Sequence, residues 1–335
     1  MKELIIDKYS QNQRLDKFLQ KYLSGAGKSF IYKMLRKKNI TLNNSKADGS
    51  EKLVMGDSVK IFFSDETLEK FTEGSLEDYY KSIYRNLDVI YENEDFIFVN
   101  KPSGLLSQKA EPNDISLNEL IISHLLHNNS ITYSDLKSFK PGVCNRLDRN
   151  TSGIVGAGKT LKGLQDLSKH FKDRSIGKYY VCIVKGVLKN RERVEGYLLK
   201  DNNLNKVDIK PDLTRKEIES GNYLNIITEY IPVCSNNNVT LLKVHLITGR
   251  SHQIRAHLAS LGHPLLGDYK YGNKAFNESF KKIYGVKDQL LHSYELDIPE
   301  SNIHIYADIP EIFKDILKGE HLWEPGIQEV LEDLH

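Results

Sequence analysis

Five runs rich in β-branched and aromatic residues constrain the fold of this 335-residue chain more than any other feature. Residues 87–91, 96–99, 153–157, 179–184 and 241–246 each have the length and composition of a strand, and the first two are joined by the acidic turn Glu92-Asn93-Glu94-Asp95. Helical stretches near 116–127 and 161–173 fall between some of them, but strands outnumber helices and do not alternate with them regularly. A doubly wound parallel sheet needs that alternation. The pattern instead specifies an α+β domain, with a central, mainly antiparallel sheet and flanking helices. No run approaches the roughly 18 apolar residues of a membrane span. The start, Met1 to Asp7, lacks the apolar core of a signal peptide. Cys144, Cys182 and Cys234 form no C-x-x-C pair. A cytoplasmic protein with structural thiols and no zinc ribbon is expected.

Charge and helical periodicity mark a separate unit upstream. The net charge is only +2, yet residues 1–65 carry thirteen Lys and Arg against seven Asp and Glu, and residues 66–78 turn acidic. Leu15, Phe18, Leu19, Tyr22 and Leu23 follow the spacing of a one-sided helix. A second helix, starting at Ser29 as N-cap, buries Phe30, Ile31, Met34 and Leu35 and turns Lys33, Arg36, Lys37 and Lys38 outward. A strand at 40–42, a turn at Asn43-Asn44 and the segment 55–61, where Gly56-Asp57 is a tight turn into a final strand, complete the unit. The expected layout is a small α/β-hairpin domain over 1–65, a charged linker over 66–85, a second domain over 86–320 and a C-terminal tail over 321–335. A basic module on a nearly neutral body suits docking to a nucleic acid.

Chemistry concentrates in Asn145-Arg146-Leu147-Asp148-Arg149-Asn150-Thr151-Ser152-Gly153. One carboxylate stands between two guanidinium groups on a turn-rich segment with no metal-ligand pattern. An Asp held that way suggests a nucleophile kept ionised, although solvated arginines and a helix-capping Asp are the commoner meaning of such a string. Two nearby patterns mislead. Gly153-Ile154-Val155-Gly156-Ala157-Gly158-Lys159-Thr160 fits the phosphate-cradling loop of nucleotide triphosphatases, but the buried strand that must precede such a loop lies inside the match instead. The run Ile303 to Asp308 is a poor magnesium-binding strand for it. His252 and His257 are five residues apart with no Glu between them, which does not fit a zinc protease helix. Ser24 and Ser152 lack a nucleophile-elbow context.

Several segments, in order, resemble the RluA-type pseudouridine synthases: Val99-Asn100-Lys101-Pro102-Ser103-Gly104-Leu105, the Arg-Leu-Asp loop, Lys178-x-Tyr180-x-x-x-Val184-x-Gly186, Thr248-Gly249-Arg250-Ser251-His252-Gln253-Ile254-Arg255, and Leu261 through Asp268. The similarity covers most of residues 87–300. Residues 12–65 resemble the RNA-binding domain named for ribosomal small-subunit protein S-four. The resemblance implies isomerisation of uridine in RNA, with Asp148 as the attacking aspartate, Tyr180 stacking on the base and placed to help proton transfer, and Arg255 as the cation beside Asp148. Tyr179, its neighbour, would point to the other face of the strand. Arg146 would fill the gap left by the displaced uridine. Asn145, Arg149, Arg250, His252, Gln253 and Lys101 are expected as RNA contacts near the target, and Lys33, Arg36, Lys37 and Lys38 as docking contacts. The reaction implies no cofactor and no metal. Large-subunit ribosomal RNA is the expected partner, transfer RNA the alternative, and the chain is expected to be monomeric. A non-catalytic RNA-binding assembly factor is the rival reading, which an altered position 148 would have favoured. Asn145 departs from the family's usual His, and Gly156 and Gly158 replace larger residues, which would loosen a core strand.

Overall fold

The computed structural model describes residues 1–23, 25–71, 76–201 and 206–334; Ser24 and residues 72–75 of the expected linker lie outside them. The chain divides into two compact units, one of Met1–Val99, Ser107–Arg146 and Val155–Lys169, the other of Asn100–Leu106, Leu147–Ile154 and His170–His335. No described helix is long and apolar enough to cross a membrane.

The first unit opens with β1 (Lys2–Ile5), α1 (Leu15–Tyr22), α2 (Lys28–Arg36), β2 (Ile40–Leu42), β3 (Ser45–Lys46) and β4 (Ser58–Ile61). The strands form an antiparallel sheet in the order β1-β4-β2-β3. Leu15, Phe18 and Leu19 of α1 share a core with Ile31 and Leu35 of α2 and with Ile40, Val59 and Ile61 of the strands. The apolar spacing therefore formed the helices it implies. α2 starts just before Ser29, with Gly27 as N-cap, and Phe30 is only half-buried, against Phe63 and Phe71. Lys33, Arg36, Lys37 and Lys38 are exposed. Asn43 and Asn44 both take positive φ (50° and 61°), the left-handed pair that a two-residue hairpin requires and that Asn tolerates.

Residues 66–85, expected as a charged linker, are helical over much of their described length. They hold the end of α3 (Asp65–Phe71) and all of α4 (Leu76–Ile83), whose Tyr80 and Ile83 are buried. Next come β5 (Val89–Glu92), β6 (Phe96–Lys101), α5 (Leu117–His127), α6 (Tyr133–Ser138), β7 (Gly142–Val143), β8 (Ser152–Gly158) and α7 (Leu161–Asp173). Ser123 Oγ of α5 donates to the Tyr80 carbonyl at 2.6 Å, tying α5 to α4. The pairs β5–β6 and β7–β8 are antiparallel. Gly156 and Gly158 do not loosen β8; they permit close packing. A Cβ on Gly156 would stand 2.6 Å from the Phe98 ring, and one on Gly158 would fall on the backbone of Leu164 in α7.

The second unit contains β9 (Gly177–Lys185), β10 (Glu192–Asp201), β11 (Lys206–Lys210), α8 (Arg215–Ser220), β12 (Leu224–Ser235), β13 (Val239–Leu246), α9 (Gln253–Ser260), α10 (Lys274–Tyr284), β14 (Leu291–Ile298), β15 (Ile303–Tyr306), α11 (Glu311–Gly319) and α12 (Ile327–Asp333). Its strands run β11-β10-β12-β13-β9-β14, with β15 on β14, all antiparallel. Ser152 and Gly153 of β8 add a parallel pairing to β14. Val181 and Ile183 of β9 join a core with Phe280 of α10, Phe313 and Ile316 of α11 and Leu331 of α12. One face of the sheet is thus covered by the three C-terminal helices, and Tyr180, at an alternate position, belongs to the other. The expected tail is partly this covering layer, since Leu331 is fully buried and its carbonyl accepts from Lys243 Nζ at 2.6 Å.

Candidate active site

The loop that leads into β8 carries Asp148, and its backbone is pinned from several sides. Lys101, at the end of β6, is fully buried, and its ammonium donates to the carbonyls of Pro102 (3.0 Å), Leu105 (2.8 Å) and Arg149 (2.9 Å). Gly104 N also donates to Arg149 O at 3.0 Å. Ser103 Oγ donates to Asn150 O at 3.0 Å, while Asn150 Nδ2 donates to Asp288 at 2.7 Å. Burial pulls the Lys101 pKa down to about 8, against the opposing charge of Asp148. The expectation that Lys101 presents a charge to RNA is corrected: burial leaves it holding the loop.

Asp148 receives its cation from a distant segment. Arg255, in α9, donates through Nη1 to Asp148 Oδ2 at 2.7 Å and, through Nε and Nη2, to both oxygens of Asp268 at 2.7 and 3.0 Å. Exposure rises along this chain of charges: the Asp268 side chain is 0% exposed, Arg255 9% and Asp148 28%. The Asp148 carboxylate is therefore the accessible end of a buried ion cluster. Burial acts to lower the Arg255 pKa, but Asp268 and Asp148 together hold it above its usual value. Burial acts to raise the pKa of Asp268, and the guanidinium holds it below the carboxylate range instead. Arg146 and Arg149, which flank Asp148 in the chain and are expected as RNA contacts, are exposed.

Two more groups complete the surroundings. His252 precedes α9 in the left-handed region (φ 54°), with Nδ1 2.9 Å from Tyr271 Oη and Nε2 3.9 Å from Asp148 Oδ2. Its pKa is lowered by burial first and by Arg255 and Lys270 next, against Asp148. Tyr271 also lies 5.3 Å from the Arg255 guanidinium, centroid to carbon. Tyr180 is 8% exposed, and burial above all, with the Asp148 charge adding, pushes its phenol up to about 12. It stays protonated at neutral pH and offers an O–H and a ring. Tyr179 stacks instead on His245, with ring centroids 4.5 Å apart.

The remaining expected contacts separate by burial. Arg250 and His252 are half-buried. Gln253 is buried, accepting from Thr248 Oγ1 and Arg250 N and donating to Ile227 O and Thr228 Oγ1, so it shapes the loop and offers no free amide to RNA. In the first unit, Asn145 Oδ1 accepts from Gly156 N at 2.8 Å. Residues missed at the level of sequence are Asp268 and Tyr271; the Gly267-Asp268 dipeptide lies in a quoted segment, but nothing in its spacing tells which cation it meets.

The look-alike patterns resolve structurally. Residues 153–158 form a strand, and Lys159 Nζ is held by Glu92 Oε1 (2.6 Å) and Asn93 O (2.7 Å), while Thr160 Oγ1 donates to Asp95 at 2.6 Å. The lysine is spent on the β5–β6 turn and builds no phosphate cradle. His257 Nδ1 meets Thr228 Oγ1 at 3.1 Å, away from the partners of His252. Among the described residues no three His, Cys, Asp or Glu side chains gather as metal ligands. A partly exposed carboxylate backed by a fixed guanidinium, with a buried phenol in the same unit, suits nucleophilic attack on an electrophilic carbon.

Residues 95–260 match the family model described as RNA pseudouridylate synthase. The chain is 31% identical over 301 residues to an uncharacterised RNA pseudouridine synthase of Mycoplasma genitalium, covering 89% of each. It is also 31% identical over 324 residues to ribosomal large subunit pseudouridine synthase C of Buchnera aphidicola subsp. Baizongia pistaciae, covering 94% of this chain and 96% of that one. The solved structure of human RNA pseudouridylate synthase domain containing 4 shares the fold, with a TM-score of 0.57 at 20% identity over 71% of this chain and 94% of that one. The chain belongs to the RluA-type RNA pseudouridine synthases, isomerases that act on RNA.

Proposed function

We infer that this enzyme isomerises uridines of large-subunit ribosomal RNA, with Asp148 as nucleophile. The observation that carries the assignment is the 2.7 Å contact from Arg255 Nη1 to an Asp148 carboxylate that is still partly open to solvent. The carboxylate attacks C1′ of the target, the C1′–N1 bond breaks, and the pair of electrons leaves with the uracil. The base turns in place, C5 bonds to C1′, the carboxylate departs, the proton on C5 is lost and N1 gains one. Arg255 donates to the carboxylate at 2.7 Å and offsets part of the solvation it loses in a partly buried site. Tyr180 stacks on the extruded base, which returns about 1–3 kcal/mol against an extrusion cost of a few kcal/mol, and its phenol is the group nearest in kind to a proton carrier. Arg146, Arg149 and Arg250 steady the surrounding RNA.

Residues 1–65 serve as an S-four-like docking domain and the catalytic domain starts near residue 86. The helix pair, the hairpin and the exposed Lys33, Arg36, Lys37 and Lys38 support the first point. The ribosomal choice rests on the names of relatives such as the Buchnera enzyme. Mapping pseudouridine in ribosomal and transfer RNA, from cells lacking the gene and complemented with wild type or Asp148→Asn, tests both. One or more large-subunit sites should vanish and return with wild type alone. Restoration by Asp148→Asn would refute the nucleophile, and a missing site in transfer RNA would refute the substrate.

A further inference from the structure

Arg255 does not meet Asp148 as a symmetrical pair. Two of its three nitrogens, Nε and Nη2, are taken by the two oxygens of Asp268, and Nη1 alone reaches Asp148, at Oδ2. A guanidinium presents a rigid planar fork, so the partner that takes two donors fixes the plane and the partner that takes one follows it. Asp268 is itself immobilised. It is fully buried, and its Oδ1 also accepts the backbone N–H groups of Lys270 (2.8 Å) and Tyr271 (3.1 Å), which holds the Tyr271 ring near the guanidinium and its hydroxyl on His252.

We propose that Asp268 is a positioning residue for catalysis: by occupying the fork of Arg255 it limits the guanidinium to one oxygen of Asp148 and leaves the other to attack. This rests on the assignment of Asp148 as nucleophile. With Asp268 absent as an anion, the fork turns to chelate Asp148 through both oxygens, and the full positive charge of Arg255 falls on that single carboxylate. Both changes weaken the nucleophile without touching the surfaces that bind RNA.

The test compares Asp268→Asn, Asp268→Glu and Asp148→Asn as full-length proteins, on a ribosomal RNA fragment that the wild type modifies. Asp268→Asn should lower kcat at least 100-fold and leave KM and RNA Kd within about twofold. A residue that only supports folding would lower Tm and the active fraction without separating kcat from KM and RNA Kd in the folded protein. Should Asp268→Asn fail to fold, Asp268→Glu decides: it keeps the charge, displaces the fork by one methylene, and should cost at least tenfold in kcat with RNA binding intact. Wild-type kcat in a folded Asp268 variant, or a loss that falls equally on RNA Kd, overturns the proposal. Turnover by Asp148→Asn overturns the underlying site assignment instead, and so separates the two failures.

Discussion

Removing Arg255 strips two carboxylates of their counter-charge at once, one of them fully buried. A buried charge left unpaired costs about 3–5 kcal/mol, because the lost attraction no longer offsets desolvation. Arg255→Ala should therefore lose about that much stability by urea unfolding and fall below detection in a pseudouridine assay; a variant as stable as wild type would refute the buried cluster. Asp148, Tyr180 and Arg255 were legible from the sequence because they sit in segments whose order repeats a family pattern. Asp268 was not, since a bidentate pairing thirteen residues apart depends on how the loop after α9 folds back. Burial was also invisible: Lys101 and Gln253 look like RNA contacts in a string of polar residues, and only the fold places them inside, on backbone carbonyls and threonine hydroxyls. Adjacency in the chain is no guide to pairing, for Arg146 and Arg149 adjoin Asp148 yet are exposed, while the cation on its carboxylate is Arg255 of α9.

At the level of elements, close approach of backbone explains what composition could not. Gly158 lies where a Cβ would strike the Leu164 backbone at the first turn of α7, and Gly163 of that helix lies where one would strike the Asp95 carbonyl. Gly158→Ala should cost about 1–3 kcal/mol through overpacking, read as a lower urea midpoint with an unchanged m-value, and no loss would show that α7 can retreat freely. Lys159, bound to Glu92 and Asn93, belongs to the same junction. The helices α1, α2, α5 and α7 and the strands β2, β5, β6, β8, β9 and β13 announce themselves through period or composition. β14 does not, because its interior holds His292, Ser293 and Glu295, all fully buried. Each breaks the apolar pattern. Glu295 is neutralised by the equally buried Lys243 at 2.7 Å and His292 meets Ser152 at 2.8 Å. Likewise α4 was hidden by the charges of its outer face, and α12 by its place near the chain end.

For the whole molecule, a net charge of +2 supplies almost no general attraction to RNA, so affinity has to come from where the cations lie. Residues 1–65 hold a surplus of basic side chains, and Lys33, Arg36 and Lys37 project from α2 and its C-terminal end. Each phosphate contact releases counterions, which steepens the fall of log K with log salt by about 0.7–0.9. Replacing Lys33, Arg36 and Lys37 by Ala together should therefore weaken binding and flatten the slope by about two. Saturating kcat should stay at the wild-type value, since Asp148, Arg255 and Asp268 all belong to the other unit. Filter-binding isotherms between 50 and 200 mM salt, with single-turnover rates at saturating enzyme, separate the two effects. An unchanged slope would place the docking surface elsewhere, and a fall in the saturating rate would mean that the basic helix acts in the chemical step as well as in binding.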